Sequence, residues 1–321
     1  MKILAIQNRM GIGDMIIYLP FIEAISKKYN TKVDILVKEN SKASEILKDN
    51  GYVGEIINLD RTNKNKKGTH DGIFGSISLA KQLKKYNFEK VFIFNSSLRF
   101  NLISKFSGIK EIYQYPLFTK KNQHIIKTAQ NFIKNQLDIN VESKPFIQLE
   151  DKLIDSAKKN FEIDNNEINI LLGIGGSGST KRVPAKKYIE FMEMAIKNYN
   201  CKFFLATGKN EEEQIILKQI LTTIHKDKCI PLDQIRLKDT LPIIKNCQIA
   251  ICNDSSFSHL SAALGVETIV LMTDTPLLYG NYSSKMHPII PDGETTVAHN
   301  TLGKEKINPE KIFYKFKSIL I

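Results

Sequence analysis

Cysteine is scarce in this chain: there are four in 321 residues, and Cys201, Cys229, Cys247 and Cys252 all fall in the second half. None forms a Cys-x-x-Cys pair, and three lie in or beside apolar segments that read as strands or helix ends. That pattern argues against a disulfide framework and a cysteine zinc site, and the thiols are expected to be reduced and structural. No apolar run approaches the ~20 residues that a membrane span needs. Met1 leads directly into KILAIQ, without the basic start and apolar stretch of a secretory signal, so the expected site of action is the cytoplasm. There is no short-period repeat and no low-complexity tract; the lysine- and asparagine-rich loop 61–72 comes nearest.

What is present is an ordinary globular composition, 42% apolar and 25% charged, with enough chain for two domains. The net charge of +12 is unevenly placed. Residues 1–150 hold 24 Lys and Arg against 14 Asp and Glu, a net of +10, while residues 151–321 hold 22 against 20, a net of +2. The excess includes Lys64, Lys66 and Lys67, the pair Lys84 and Lys85, and the pair Lys120 and Lys121. An anionic partner for the first half explains this better than a merely solvated surface. No nucleic-acid motif accompanies the charge, so no nucleic-acid partner is expected.

Strand and helix patterns alternate along both halves. KILAIQ, KVDILV, EIINL and KVFIFN read as strands, with helical patterns over 14–28, 41–49 and 73–86. An amphipathic stretch over about 121–137 then leads to Pro145 and a domain boundary. The pattern restarts with INILLGI, KFFLAT, a weaker strand near 229–232, IAIC and ETIVLM. Helices are predicted around 185–199, 210–226, 238–246 and 256–264. The segment 308–319 reads as a terminal helix, with a return onto the first domain open to it. This predicts two doubly wound α/β domains, 1–148 and 149–321, facing one another across a cleft.

Three turns carry the polar chemistry, each after a predicted strand. In the first, Asn8-Arg9-Met10-Gly11-Ile12-Gly13-Asp14, the glycines permit a tight turn and Asp14 stands at a helix start. A dinucleotide fingerprint needs a third glycine where Ile16 stands and an acid at the end of strand two, whereas Asp34 falls inside that strand. Asp14 is either a helix cap or, if it faces the cleft, a general base. The second turn runs from Gly173 to Arg182, GIGGSGSTKR. It is neither a Walker loop nor a hydrolase nucleophile elbow, since Lys181 follows Ser179 and Thr180, and Ser179 stands where the elbow needs glycine. What remains is a flexible loop whose N–H groups and Lys181 suit a diphosphate. The third turn lies within IAICNDSSFSHLSAALG, Ile249–Gly265. Asn253, Asp254, Ser255 and Ser256 supply N-cap chemistry ahead of a helix, and a helix N-terminus there suits a phosphate, with His259 on the same side as Ser256. Carboxyl ends of strands in doubly wound sheets are where ligands bind, so the three turns are expected to converge.

With these stretches in view, the chain resembles glycosyltransferase family 9, the heptosyltransferases that build the inner core of lipopolysaccharide. The resemblance rests on KILAIQNRMGIGDMIIYLPFIEAI, GSTKRVPAKKY and NDSSFSHLSAALGVETIVLMTDTP, which anchor both halves. It implies the GT-B fold, two Rossmann-like domains with the acceptor bound by the first and the nucleotide-sugar by the second. It further implies inversion at the anomeric carbon without a metal or other cofactor. On this resemblance Asp14 is the general base and Lys181, with Ser179 and Thr180 beside it, holds the donor. Asp254 grips sugar hydroxyls, the N–H groups of Ser255 and Ser256 take the diphosphate, and Phe257 and His259 line the same pocket. Thr207, Gly208 and one of Glu211 or Glu212 fall where the family contacts the ribose, and Ile235 near where it reads the adenine. The implied donor is ADP-heptose, and the implied acceptor an anionic glycolipid reached by peripheral association with the cytoplasmic face of the inner membrane. Two departures stand out: Ser256 where the family has glycine, and Val183 where it has an aromatic residue. A sugar-nucleotide epimerase on a similar scaffold, or a nucleotide-sugar binder with a degenerate site, would use many of the same residues.

Overall fold

A computed structural model describes residues 1–9, 11–62, 67–117, 124–164 and 166–320. Met10, Lys64, Lys66, Lys120, Lys121 and the start of the 121–137 stretch lie outside the described residues. The chain divides into two units, Met1–Gln148 and Leu149–Ile321.

The first unit runs β1 (Ile3–Ile6), α1 (Ile12–Tyr29), β2 (Val33–Val37), α2 (Ala43–Ile46), β3 (Val53–Asn58), α3 (Gly72–Lys84), β4 (Lys90–Ile93), α4 (Leu98–Phe106), β5 (Glu111–Gln114) and α5 (Ile125–Leu137). Its five strands are all parallel, in the order β3-β2-β1-β4-β5. Every residue of the central strand β1 is buried, as a strand covered on both faces requires. One face packs Leu79 and Leu83 of α3 and Phe100 and Ile103 of α4 on Leu4, Ile6, Val91 and Ile93. The other is aromatic, with the Phe94 ring centroid 5.1 Å from Tyr18 of α1 and 5.4 Å from Phe132 of α5. The predicted helix over 41–49 is split, because Lys42 takes a left-handed conformation between a 3-10 turn at Glu39–Ser41 and α2. Helix α4 was not predicted; it is only nine residues long.

The second unit runs α6 (Asp151–Asn160), β6 (Ile168–Gly173), α7 (Ala185–Asn198), β7 (Cys201–Ala206), α8 (Glu211–Leu221), β8 (Cys229–Pro231), α9 (Leu237–Lys245), β9 (Ile249–Asn253), α10 (Ser256–Ala263), β10 (Glu267–Leu271), β11 (Met286–Ile289) and α11 (Pro309–Leu320). Six parallel strands lie in the order β11-β10-β9-β6-β7-β8. In both units chain order reverses beside the first strand, between β1 and β4 and between β6 and β9. Such reversals are where doubly wound sheets bind ligands.

Two further elements were not predicted. Helix α6 buries only Ala157, and its sequence DKLIDSAKKN is mostly polar. Strand β11 reads MHPI, and its proline is tolerated because β11 is the sheet's edge. The terminal helix α11 packs against α7, and its apolar face, for which a place on the first domain was open, is used in this unit: Ile312 and Phe316 belong to the core around Ile170, Phe203 and Phe191.

Candidate functional site

The second and third turns meet at the carboxyl ends of β6 and β9. Gly173 closes β6, and a Cβ there would lie 2.5 Å from the Cys252 sulfur, so only glycine lets the two strand ends pack. Asn253, last in β9, is fully buried. Its Oδ1 accepts from the Tyr188 hydroxyl (2.8 Å) and the Val183 N–H (3.2 Å), and its Nδ2 donates to the Ile174 (2.8 Å) and Gly175 (3.2 Å) carbonyls. One side chain thus ties both ends of the glycine-rich loop to the strand that leads into α10.

The loop was expected to be flexible, yet it is held at several further points. Arg182 donates to the Gly176 carbonyl at 2.7 Å and pairs with Glu212. The Thr180 carbonyl accepts from the Thr273 hydroxyl, and the Ser179 carbonyl from Lys304 Nζ at 3.2 Å. Ser179–Lys181 forms a 3-10 turn that directs Lys181 onto Asp254, with Nζ to Oδ2 at 2.9 Å. Asp254 is 4% exposed. Burial by itself pushes its carboxyl up, but the Lys181 ammonium and His259 beside it outweigh this and hold it below the ordinary carboxylate range.

His259 Nε2 stands 3.9 Å from Asp254 Oδ1. Its Nδ1 is 2.8 Å from the hydroxyl of Tyr282, whose ring stacks on the imidazole with centroids 5.6 Å apart. Burial raises the Tyr282 phenol far above its ordinary value, so the hydroxyl stays neutral and fixes the imidazole's orientation. Nothing in the sequence marks Tyr282, because it reaches His259 from the segment after β10.

The expected capping chemistry is absent from this helix start. Ser255 is the N-cap of α10, but no side chain accepts a capping bond there. The N–H groups of the first turn therefore point out of the helix without a side-chain cap, at the positive end of its dipole. The buried hydroxyls of Ser255, after β9, and Thr207, after β7, lack partners among the described residues, as polar atoms at a ligand site do. Ser256 is half-buried at the first helical position, and Phe257 packs its Cβ toward Gly173. Val183, the other departure, is fully buried in the core beside Tyr188 and presents only its N–H, to Asn253.

Thr207 and Gly208 follow β7 on the same edge. Glu211 and Glu212 are exposed in the first turn of α8, whereas Glu213 is buried, and it is Glu213 that lies against Gly208. Its Oε1 accepts the Gly176 N–H at 2.6 Å, bracing the loop from the other side. Three consecutive glutamates hide this distinction, which helix phase alone decides. Ile235 is half-buried in the turn after β8.

Asp14 belongs to the first unit. It sits in the first turn of α1, where Oδ2 accepts the Gly11 N–H at 3.2 Å and Oδ1 lies 3.7 Å from Arg9. It does what a first-turn carboxylate does, and its side chain stays 23% exposed, open to a further contact. The thiols are all free. Burial pushes Cys201 and Cys229 up to about 11 and Cys252 up to about 12, which makes them poor nucleophiles. Among the described residues no group of three or more His, Cys, Asp and Glu is arranged to hold a metal ion.

The model of glycosyltransferase family 9 (heptosyltransferase) matches residues 76–290, well over half of the chain. The chain belongs to this family. Among curated relatives of this family 9 chain, lipopolysaccharide heptosyltransferase 1 of Campylobacter coli is 23% identical, covering 92% of this chain and 90% of the relative. A glycosyl transferase family 9 structure from Veillonella parvula superposes with a TM-score of 0.80 at 18% identity, covering 99% of this chain and 97% of that one. The ADP-heptose lipopolysaccharide heptosyltransferase II of E. coli gives 0.74 at 18% identity, over 100% and 98%. The fold is GT-B, as the resemblance implied, and the chain is a glycosyltransferase.

Proposed function

We propose that this glycosyltransferase moves heptose from ADP-heptose to a hydroxyl of a lipopolysaccharide-core or related lipid-linked acceptor, inverting the anomeric carbon without a metal. The observation that carries the reading is Lys181 held 2.9 Å from the buried Asp254 beside the uncapped start of α10. Loss of a nucleoside diphosphate places negative charge on the departing oxygen. An ammonium and preorganised N–H groups at a helix N-terminus stabilise that charge as it develops. The donor and the acceptor class are supported by the names of the Campylobacter coli and E. coli relatives.

In this reading the second unit holds the donor. Thr207 and the Gly208 backbone take the ribose, and Ile235 lies along the base. Asp254 and His259 take sugar hydroxyls, and Ser255 and Ser256 the diphosphate. Glu213 and the Glu212–Arg182 pair brace the loop, and one of the exposed Glu211 or Glu212 takes a ribose hydroxyl beside Gly208. The first unit holds the acceptor. Asp14 removes the acceptor hydroxyl's proton as its oxygen bonds to the anomeric carbon and the bond to the diphosphate breaks, releasing ADP. A positioned base contributes about 10²–10⁴-fold in rate. The test is Asp14→Asn, which should lose turnover by that factor while ADP binding by calorimetry stays at the wild-type level. Turnover preserved in Asp14→Asn removes the base from the mechanism, and activity abolished by EDTA removes the metal-free step.

A further inference from the structure

Helices α3 and α4 bury one apolar stripe in the first unit's core and present a second one outward. Phe74 is 87% exposed, Ile73 79% and Phe106 74%, and Ile77, Leu98 and Leu102 are exposed as well. Ile73 and Ile77 are four apart, as are Leu98, Leu102 and Phe106, so each set forms a continuous line along its helix. The helices lie side by side: Arg99 Nε donates to the Ser76 hydroxyl at 2.9 Å, and the Ser107 hydroxyl to the Ala80 carbonyl at 3.2 Å. The two lines therefore make one apolar surface, which an ordinary soluble face does not carry.

Its charge says what covers it. Neither α3 nor α4 contains an acidic residue, while Lys81, Lys84, Arg99 and Lys105 lie on them. From Gly72 to Lys110 there are seven Lys and Arg against the single Glu89. A second copy docked by a two-fold axis would bring these same cations face to face. An anionic lipid surface would instead pair with them while taking the aromatic and aliphatic side chains into its headgroup boundary.

We propose that the outer face of α3 and α4 docks this protein onto an anionic bilayer surface. Helix α4 begins shortly after β4 ends, and the chain that leads into α3 returns to the end of β3, where the His70 N–H donates to the Asp60 carbonyl at 2.9 Å, so Ile73, Phe74 and Leu98 sit toward the carboxyl edge of the first sheet. Helix α1 with Asp14 begins at that same edge. Docking there presents the edge that carries Asp14 to lipid-anchored molecules; this use, unlike the docking itself, rests on the sugar-transfer reading.

The experiment is co-sedimentation of the full chain with phosphatidylcholine–phosphatidylglycerol vesicles and with pure phosphatidylcholine vesicles. The expected result is binding to the anionic vesicles alone, weakened by added salt. The F74S/F106S and K81E/K84E variants should each bind about tenfold more weakly or worse, with unchanged melting temperature because all four side chains lie outside the core. Equal binding by wild type and both variants, or no binding to anionic vesicles, overturns the proposal. So does a dimer in sedimentation velocity that F74S/F106S dissolves. The same variants should slow transfer to a vesicle-borne acceptor but not to its deacylated form. Vesicle binding by a wild type that turns over neither acceptor would support the docking face while the sugar-transfer reading fails.

Discussion

Replacing Asn253 with alanine removes four hydrogen bonds from a fully buried position. The Val183 N–H and the Tyr188 hydroxyl lose their acceptor; the hydroxyl's other neighbour, the Gly173 carbonyl, is 3.5 Å away. A buried donor left without a partner costs about 1–3 kcal/mol. The carbonyls of Ile174 and Gly175 lose less, since a carbonyl with a second lone pair tolerates under-satisfaction better than an N–H. The two donors alone come to about 2–6 kcal/mol, or a melting point lower by roughly 5–20 °C for a unit of this size. Because both ends of the glycine-rich loop hang on this side chain, ADP binding should weaken with stability. Asn253→Asp is the control: it keeps the acceptor that Val183 and Tyr188 use but turns an oxygen toward two carbonyls. Urea unfolding followed by circular dichroism gives the free energies, and calorimetry with ADP the affinity. A loss below about 1 kcal/mol in Asn253→Ala would show that water or a rearranged loop replaces these bonds.

The acid side of the stability profile should report on Asp254. Its carboxyl is held below the ordinary range by Lys181 and His259 despite burial, so its contribution is present above the unfolded value and lost as pH falls through the lower folded one. The gap in unfolding free energy between wild type and Asp254→Asn should therefore be present near neutral pH and shrink as the pH falls below about 4. A gap that does not shrink below about pH 4 would show that Lys181 and His259 do not favour the carboxylate of Asp254. Gly208→Ala should be destabilising by about 1–3 kcal/mol, since the added Cβ would fall 2.2 Å from Glu213 Oε2 and push that buried carboxylate off the Gly176 N–H. Unchanged stability and ADP affinity in Gly208→Ala would mean that Glu213 has room to move and does not brace the loop.

Much of the architecture can be read from apolar periodicity, because a parallel strand between two helical layers must be apolar along its whole length. IAICN in β9 and INILLG in β6 are recognisable on that ground, and their order restricts the topology to a doubly wound sheet. The family resemblance, carried by three stretches, is borne out by the match over 76–290. Helix α6 and strand β11 escaped notice because one buries a single alanine and the other contains a proline that only an edge permits.

The polar turns divide along the same line. Residue type and position after a strand are enough to nominate Lys181, Asp254 and His259. They are not enough to distinguish a cap from a brace. Asn253 looked like helix-capping chemistry and instead ties down the loop 70 residues before it. Of Glu211, Glu212 and Glu213, only packing against Gly208 and Gly176 shows which carboxylate is inside. Tyr282 acquires meaning only where β10 brings its following segment alongside α10. The amino-acid order alone therefore determined the strands, their covering helices and the turns that could carry chemistry, since burial patterns and turn preferences are local. Which polar atoms meet, and which helix face is left outward as on α3 and α4, was decided only when distant segments packed, because hydrogen-bond partnership and exposure belong to the folded neighbourhood rather than to the residue.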